Sequence, residues 1–268
     1  MARRIAIPGL INLLRVDDAR EIRALDAESR VDRSLEPRGG LINRLRLRRI
    51  AQAFVVDGHL LPAFLRRDAP NRERERASLE ARLNERVAAG TWSDDPAFAT
   101  LVAGARGEVD EQALGVAAQG LLGRLFKPGY EADPASYEAA CVLDRYPRVN
   151  ALRALGWAWS GRLRHARQLL RERADGDGHA VHATAIALHN LVRTVQAMAA
   201  LRADPSRRGR TRPAAMLAQC LAAPDTVLRL AREPLSTPAA PRRLQGGELI
   251  LFRVQDCVRA SGDTRLAF

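Results

Sequence analysis

The stretch HAVHATAIALH, His179 to His189, places three of the chain's five histidines within eleven residues. It lies inside a longer helical pattern running from about Gly178 to Arg202. A helix turns about 100° per residue, so His179, His182 and His189 fall within roughly 80° of one another. Asn190, Arg193 and Gln196 lie beside them, while Val181, Leu188, Leu191, Val192 and Val195 gather on the opposite side. The segment is therefore an amphipathic helix with an imidazole-bearing polar face. That face admits three readings: a solvated stripe, a metal site, or a proton relay lining an internal space. His189 stands on the order of 10 Å further along than His182, so one ion does not touch all three rings. The helix has no H-E-x-x-H and no glutamate for a carboxylate-rich di-metal centre.

Working outward, helix signals dominate. Asp17 or Asp18 caps a helix carrying Ile22 and Leu25. Leu41, Leu45, Ile50 and Phe54 recur at near-helical spacing. NRERERASLEARLNERVAAG is a charged helix with Leu79 and Leu83 four apart, closing at Gly90. The Asp-Pro pairs at 95–96 and 133–134 open two more helices, with Pro in the first turn behind an Asp cap. A helix spans Val109 to Phe126, and another runs from Asn150 to Arg173. Trp157 and Trp159 fall on different faces of it, one for the core and one for the surface. Residues 203–213 read as a loop, and Pro213 to Ala222 as a further helix. ELILFRV, behind Gly246 and Gly247, is the one convincing strand. The expectation is a single, mostly helical domain over 1–268, mainly α, with a small β region near the C-terminus.

Composition sets outer limits. The chain of 268 residues is 47% hydrophobic and only 4% aromatic, so its core rests on Leu, Ala, Val and Ile. The net charge is +12, almost all of it from arginine; Lys127 is the sole lysine. Two runs concentrate it, RLRLRR at 44–49 and RRGRTR at 207–212. Both read as solvated surface, or as patches for phosphate, anionic lipid or an acidic partner. Nucleic-acid binding is not expected, because Trp92, Trp157 and Trp159 lie outside both runs. Cys141, Cys220 and Cys257 are far apart and form no C-x-x-C, which suits a reducing cytoplasm. The broken apolar run before Arg15 gives no secretory signal, and no window is apolar enough to span a bilayer. G-x-G-x-x-G, G-x-S-x-G and P-loop spacings do not occur.

Four segments together resemble the cytochrome P-450 superfamily of heme-thiolate monooxygenases. DAPNRERERASLEARL, Asp68 to Leu83, is similar to the family's C-helix, with Arg72 at its histidine position and Arg76 on its arginine. The histidine helix resembles the I-helix that crosses the heme; Ala183 and Thr184 match its small residue and threonine, without the neighbouring acid. MLAQCLAAPDTVLRLA, Met216 to Ala231, resembles the K-helix and following strand, with Leu221, Pro224 and Arg229 on family positions. The Glu-x-x-Arg there is replaced by Gln219-Cys220-Leu221-Ala222. GGELILFRVQDCVRASGDTRLAF resembles the approach to the cysteine-ligand loop, whose Phe-x-x-Gly-x-x-x-Cys would begin at Phe268.

The resemblance implies a P-450-like multi-helix domain and heme-dependent oxidation of an apolar small molecule with a redox partner. It implies Arg72, Arg76 and Arg229 at the heme propionates. It places His182, Thr184 and His189 on the distal side, where a histidine would supply the proton chemistry of the missing acid. Without the ligand cysteine, a bound heme lacks the axial sulfur that favours O–O cleavage. The chain is then a product cut before that loop, or a relative that has lost the chemistry. The alternatives are a non-enzymatic helical protein whose arginines meet an acidic partner, and a helical metalloenzyme using the histidine face.

Overall fold

A computed structural model describes residues 3–56, 59–60, 70–89, 92–204, 220, 227–238 and 243–261. The chain forms two compact units. The first comprises Met1–Gln52, Ala63–Ala69 and Ala222–Phe268; the second comprises Ala53–Pro62 and Pro70–Leu221.

In the first unit, β1 (Arg3–Ile7) and β2 (Ile11–Val16) form an antiparallel hairpin. Pro8 and Gly9, with Gly9 at φ +71°, make the turn. α1 (Ala19–Ala27) follows, capped by the Asp18 carboxylate, which accepts from the Arg20 and Glu21 N–H groups. Then come β3 (Val31–Asp32), α2 (Leu41–Phe54) and, far along the chain, β6 (Val227–Ala231) and β7 (Leu249–Phe252). Between α2 and β6 the second unit contributes β4 (Val55–Val56) and β5 (His59–Leu60), a separate two-stranded pair. The main sheet has the order β1-β2-β7-β6-β3, with only β2 and β7 parallel. Leu14, Val16, Ile250 and Phe252 share one face, since Leu14 stands opposite Ile250 and Val16 opposite Phe252. Ile22 and Leu25 of α1 and Cys257 and Val258 of α11 (Val254–Ser261) belong to the same core.

Two expectations are corrected here. The β region is not confined to the C-terminal end: β7 is the anticipated strand, but β1 and β2 come from the N-terminus. The Pro-Gly turn between two apolar runs is the local signal for that hairpin. On α2, Leu41 and Leu45 are exposed, while Leu47 and Phe54 are buried. The packed side is set by Asn43, whose amide donates to the Asn12 carbonyl (2.8 Å) and the Gly247 carbonyl (3.2 Å). A polar side chain with two buried backbone partners fixed the helix rotation, which leucine spacing alone does not reveal.

The second unit holds the remaining described helices: α3 (Arg72–Ala88), a 3₁₀ turn at Trp92–Asp94, α4 (Pro96–Gly104), α5 (Glu111–Phe126), α6 (Pro134–Arg145), α7 (Ala151–Trp159), α8 (Arg162–Arg173), α9 (Gly178–His182) and α10 (Leu188–Ala203). Asp95, Asp110, Asp133 and Asn150 cap their helices, and Asp133 and Ser136 form a reciprocal capping box. The expected helix from Asn150 to Arg173 is broken into α7 and α8 at Gly161, whose φ of +71° takes the chain out of the right-handed helix. Trp157 is buried and Trp159 is 86% exposed, as their spacing implies. The helix expected over Pro213 to Ala222, the RRGRTR run, and Leu221 and Pro224 lie outside the described residues, Cys220 apart.

α5 is packed by shape. A Cβ on Gly115 would lie 2.1 Å from the Tyr137 ring, and one on Gly123 would lie 2.1 Å from the Tyr130 ring. Gly115→Ala and Gly123→Ala are each expected to destabilise the fold by about 1–3 kcal/mol, because the rings have nowhere to retreat. Gly156→Ala, on α7 where an added Cβ meets nothing, should gain up to about 1 kcal/mol from helix propensity. Thermal melts of the three variants measure this contrast.

Candidate functional site at the central helix

The histidine helix is not a uniform rod. α9 passes into a π-helical turn over Ala183–Ala187 before α10 resumes. Ala183, Thr184 and Ala185 are buried at the turn, as are Val181, Leu188, Val192 and Val195 beside it. A π turn shifts the backbone ladder by one residue and leaves a carbonyl to be satisfied from outside it. Gln119 of α5 supplies the partner: its amide donates to the Thr184 carbonyl (3.0 Å) and to the Ser136 carbonyl (3.0 Å). Its own carbonyl accepts from the Ser136 hydroxyl at 2.8 Å. Gln119 and Ser136 have no exposed surface.

Thr184 donates its hydroxyl to the Ala180 carbonyl at 2.7 Å. Tyr130 is 1% exposed, and its phenol lies near the Thr184 hydroxyl without reaching ordinary hydrogen-bond geometry. Burial pushes the Tyr130 pKa up, so it is a neutral phenol at neutral pH.

The three histidines are partly buried, not a wetted stripe. Burial pushes the His182 pKa down to about 4, with His179 adding repulsion. His189 is also lowered by burial, against the pull of Asp144; its Nε2 stands 3.4 Å from the Ala140 carbonyl and its ring is tilted against Tyr137. His179 is lowered as well, chiefly by burial, although its Nε2 stands 3.7 Å from Glu75 of α3. All three are therefore neutral imidazoles at neutral pH, each able to accept or donate a proton at one ring nitrogen.

The start of this helix is fixed by a pair that sequence reading missed. Asp177 caps α9 by accepting from the His179 and Ala180 N–H groups, and Arg82 of α3 donates to it at 2.7 Å. The same guanidinium donates to the Phe126 carbonyl at the end of α5 (2.9 Å). Burial works against the Asp177 charge, but Arg82 and the two cap N–H groups outweigh it and hold its pKa below the usual carboxylate range. Gln119 was missed too, although a glutamine inside VAAQGLLG is a visible polar interruption of an apolar run.

The arginines assigned to propionates are not brought together within one unit. Arg72 and Arg76 lie on α3, a helix with no buried residue, and Arg76 pairs with Glu80 of its own helix at 2.9 Å. Arg229 is in the first unit. It is only 7% exposed, donates to Asp26 of α1 (2.7 Å) and to the Leu228 carbonyl (3.0 Å), and lies over the Phe252 ring. Its guanidinium is thus engaged between α1 and the sheet.

No family model matches the chain, and no curated protein matches it. Among solved structures, it is similar to "The crystal structure of GfsF", with a TM-score of 0.54 and 16% identity, over 96% of this chain and 72% of that one. It is also matched to "CYP154C4 from Streptomyces sp. W2061", with a TM-score of 0.46 and 14% identity, over 98% of this chain and 74% of that one. The fold is mainly α with a small five-stranded sheet, and it shares that architecture with the GfsF structure. None of the helices described is long and apolar enough to cross a membrane.

The resemblance read from the sequence implies a heme-thiolate centre, so the cysteines test the fit. Burial pushes the thiols of Cys141 and Cys220 up. Cys257 is pushed up to about 11, mainly by burial, and donates its thiol to the Asp17 carbonyl at 2.8 Å. A bound iron would itself deprotonate the sulfur it holds, so the fit is judged on geometry. Cys257 lies in the packed core of the first unit with its thiol given to the Asp17 carbonyl, and as placed it does not fit an axial ligand.

Two measurements check this site. His182 is expected to titrate near pH 4 by NMR. Because its folded pKa lies below the unfolded value near 6.5, the unfolded state binds more protons between those values. Stability should therefore fall by about 2–3 kcal/mol as pH drops from 6.5 to 4. An ordinary titration near pH 6.5 would show an open, hydrated ring. Gln119→Leu should cost about 1–3 kcal/mol in chemical denaturation, since it removes the side-chain partner of the buried Thr184 carbonyl and of the Ser136 hydroxyl.

Proposed function

We propose that this chain is a P-450-like protein that takes up an apolar small molecule beside the central helix, in the manner of a heme-dependent monooxygenase, and that Cys257 does not supply an axial thiolate. The likeness to GfsF supports the fold, and the neutral imidazoles beside the Thr184 π turn support the choice of site. In this reading His182, Thr184 and His189 form the polar lining. His182 and His189 each hold or pass one proton at a ring nitrogen, and Thr184 is held in orientation by its bond to Ala180. Arg72, Arg76 and Arg229 remain the proposed partners for anionic groups of a cofactor. For Arg229 that role requires release from Asp26.

The single observation that carries the negative half is the place of Cys257, packed in the sheet core with its thiol given to the Asp17 carbonyl. Hemin titration followed by carbon monoxide on the reduced protein tests it. The expected result is no thiolate-type Soret band at any hemin ratio. A thiolate-type band lost in Cys257→Ala or Cys220→Ala would overturn it. Uptake of an apolar probe that quenches in parent protein and weakens in Thr184→Trp, with an unchanged melting temperature, supports the positive half; equal uptake by that variant refutes it.

A further inference from the structure

The arginine run at 44–49 lies on α2, and α2 carries an unusual exposed face. Leu41, Ile42 and Leu45 project from it together with Arg44 and Arg48, all exposed. The helix start is tied to the β1–β2 turn: the Leu41 N–H donates to the Gly9 carbonyl (3.0 Å) and the Ile42 N–H to the Leu10 carbonyl (2.8 Å). The turn and β1 bring further exposed aliphatics, Ile5, Ile7 and Leu10. Ile5 and Ile7 point to the side of β1 opposite Arg4, which is turned inward onto the buried Glu248 at 2.7 Å. Six large aliphatic side chains, between 38% and 51% exposed, thus stand on two elements joined by backbone hydrogen bonds.

Cationic side chains predominate around this face; the carboxylate near it is Asp256, 3.6 Å from Arg15, which stands opposite Arg3 in the hairpin. Residues 1–16 and 37–56, which contain β1, β2 and α2, hold no aspartate or glutamate. Arg3, Arg44 and Arg48 are exposed, and none has a carboxylate partner among the described residues. A second exposed apolar face, Leu152, Leu155 and Trp159 on α7, differs here: Arg148 and Arg162 near it are paired with Asp144 and Glu138.

We propose that the β1–β2 turn and the exposed face of α2 together bind the surface of an anionic phospholipid bilayer. Aliphatic side chains projecting from a tied turn and helix enter the acyl boundary, and unpaired guanidinium groups meet phosphate oxygens at the headgroup level. A second copy of this chain would bring the same uncompensated arginines and be repelled. This inference is independent of the P-450 reading, since it uses no residue of the central helix.

The test is co-sedimentation of the full chain with vesicles of pure phosphatidylglycerol and of pure phosphatidylcholine. The chain is expected to pellet with phosphatidylglycerol, to be released by raised salt, and to remain free with phosphatidylcholine. Leu45→Asp is expected to weaken binding at least about tenfold, the loss of one buried leucine. The pair Arg44→Glu and Arg48→Glu should weaken it comparably, and Trp159→Asp should leave it unchanged. All these positions are exposed, so melting temperatures should match the parent. Salt-sensitive binding that Leu45→Asp leaves intact would mean charge alone and overturn the proposal. So would equal binding to phosphatidylcholine, loss in Trp159→Asp alone, or a dimer by light scattering that Leu45→Asp dissolves.

Discussion

The second unit is organised around one hydrogen-bonding demand. The π turn at Ala183–Ala187 leaves the Thr184 carbonyl in a place where water does not reach, and an unpaired buried carbonyl costs about 1–3 kcal/mol. The Gln119 amide removes that cost and, with its remaining groups, joins the start of α6 through Ser136. Three helices are thereby held in one register. The glycines of α5 make this possible by letting the rings of Tyr137 and Tyr130 approach the helix closely. Apolar packing then encloses the network, and the enclosure keeps the neighbouring imidazoles neutral.

The same enclosure bears on function. A helix with polar side chains on one face is ordinarily a surface element. Here α3 answers that face with Arg82 on Asp177 and Glu75 beside His179, and α6 answers it with the Ala140 carbonyl and Tyr137. At His179 and His189 a polar group thus meets another polar group, so partial burial is tolerated there. Among the described residues the result is a row of neutral, partly buried imidazoles and not a wetted stripe. The chemistry of an iron-bound thiolate is a separate requirement. In the described part of the chain the Cys257 thiol is given to the Asp17 carbonyl, and Arg229 is engaged by Asp26.

The arginine excess divides by environment. Arg82, Arg124 and Arg229 act as internal fasteners, each in a short pair with an aspartate. Arg44 and Arg48 instead stand among exposed leucine and isoleucine, with no acid nearby in sequence. One codon preference can produce both populations; burial and pairing separate the structural arginines from those available to a partner.

Helix positions were legible because their signals are local. An Asp cap, a proline in the first turn and a 3.6-residue repeat depend on a few adjacent residues; Asp95 and Asp133 cap where the sequence places them, and of Asp17 and Asp18 it is Asp18 that caps. The abundance of such signals carried the mainly α class as well. What the sequence did not disclose is non-local. Pairing of β2 with β7 joins residues more than two hundred positions apart. The rotation of α2 follows from Asn43 reaching Gly247, and the burial of the histidine face follows from α3 and α6 lying against it. A helical wheel says which residues share a face; only the neighbouring elements decide whether that face meets water, because burial is a property of what is packed against a surface and not of the surface itself.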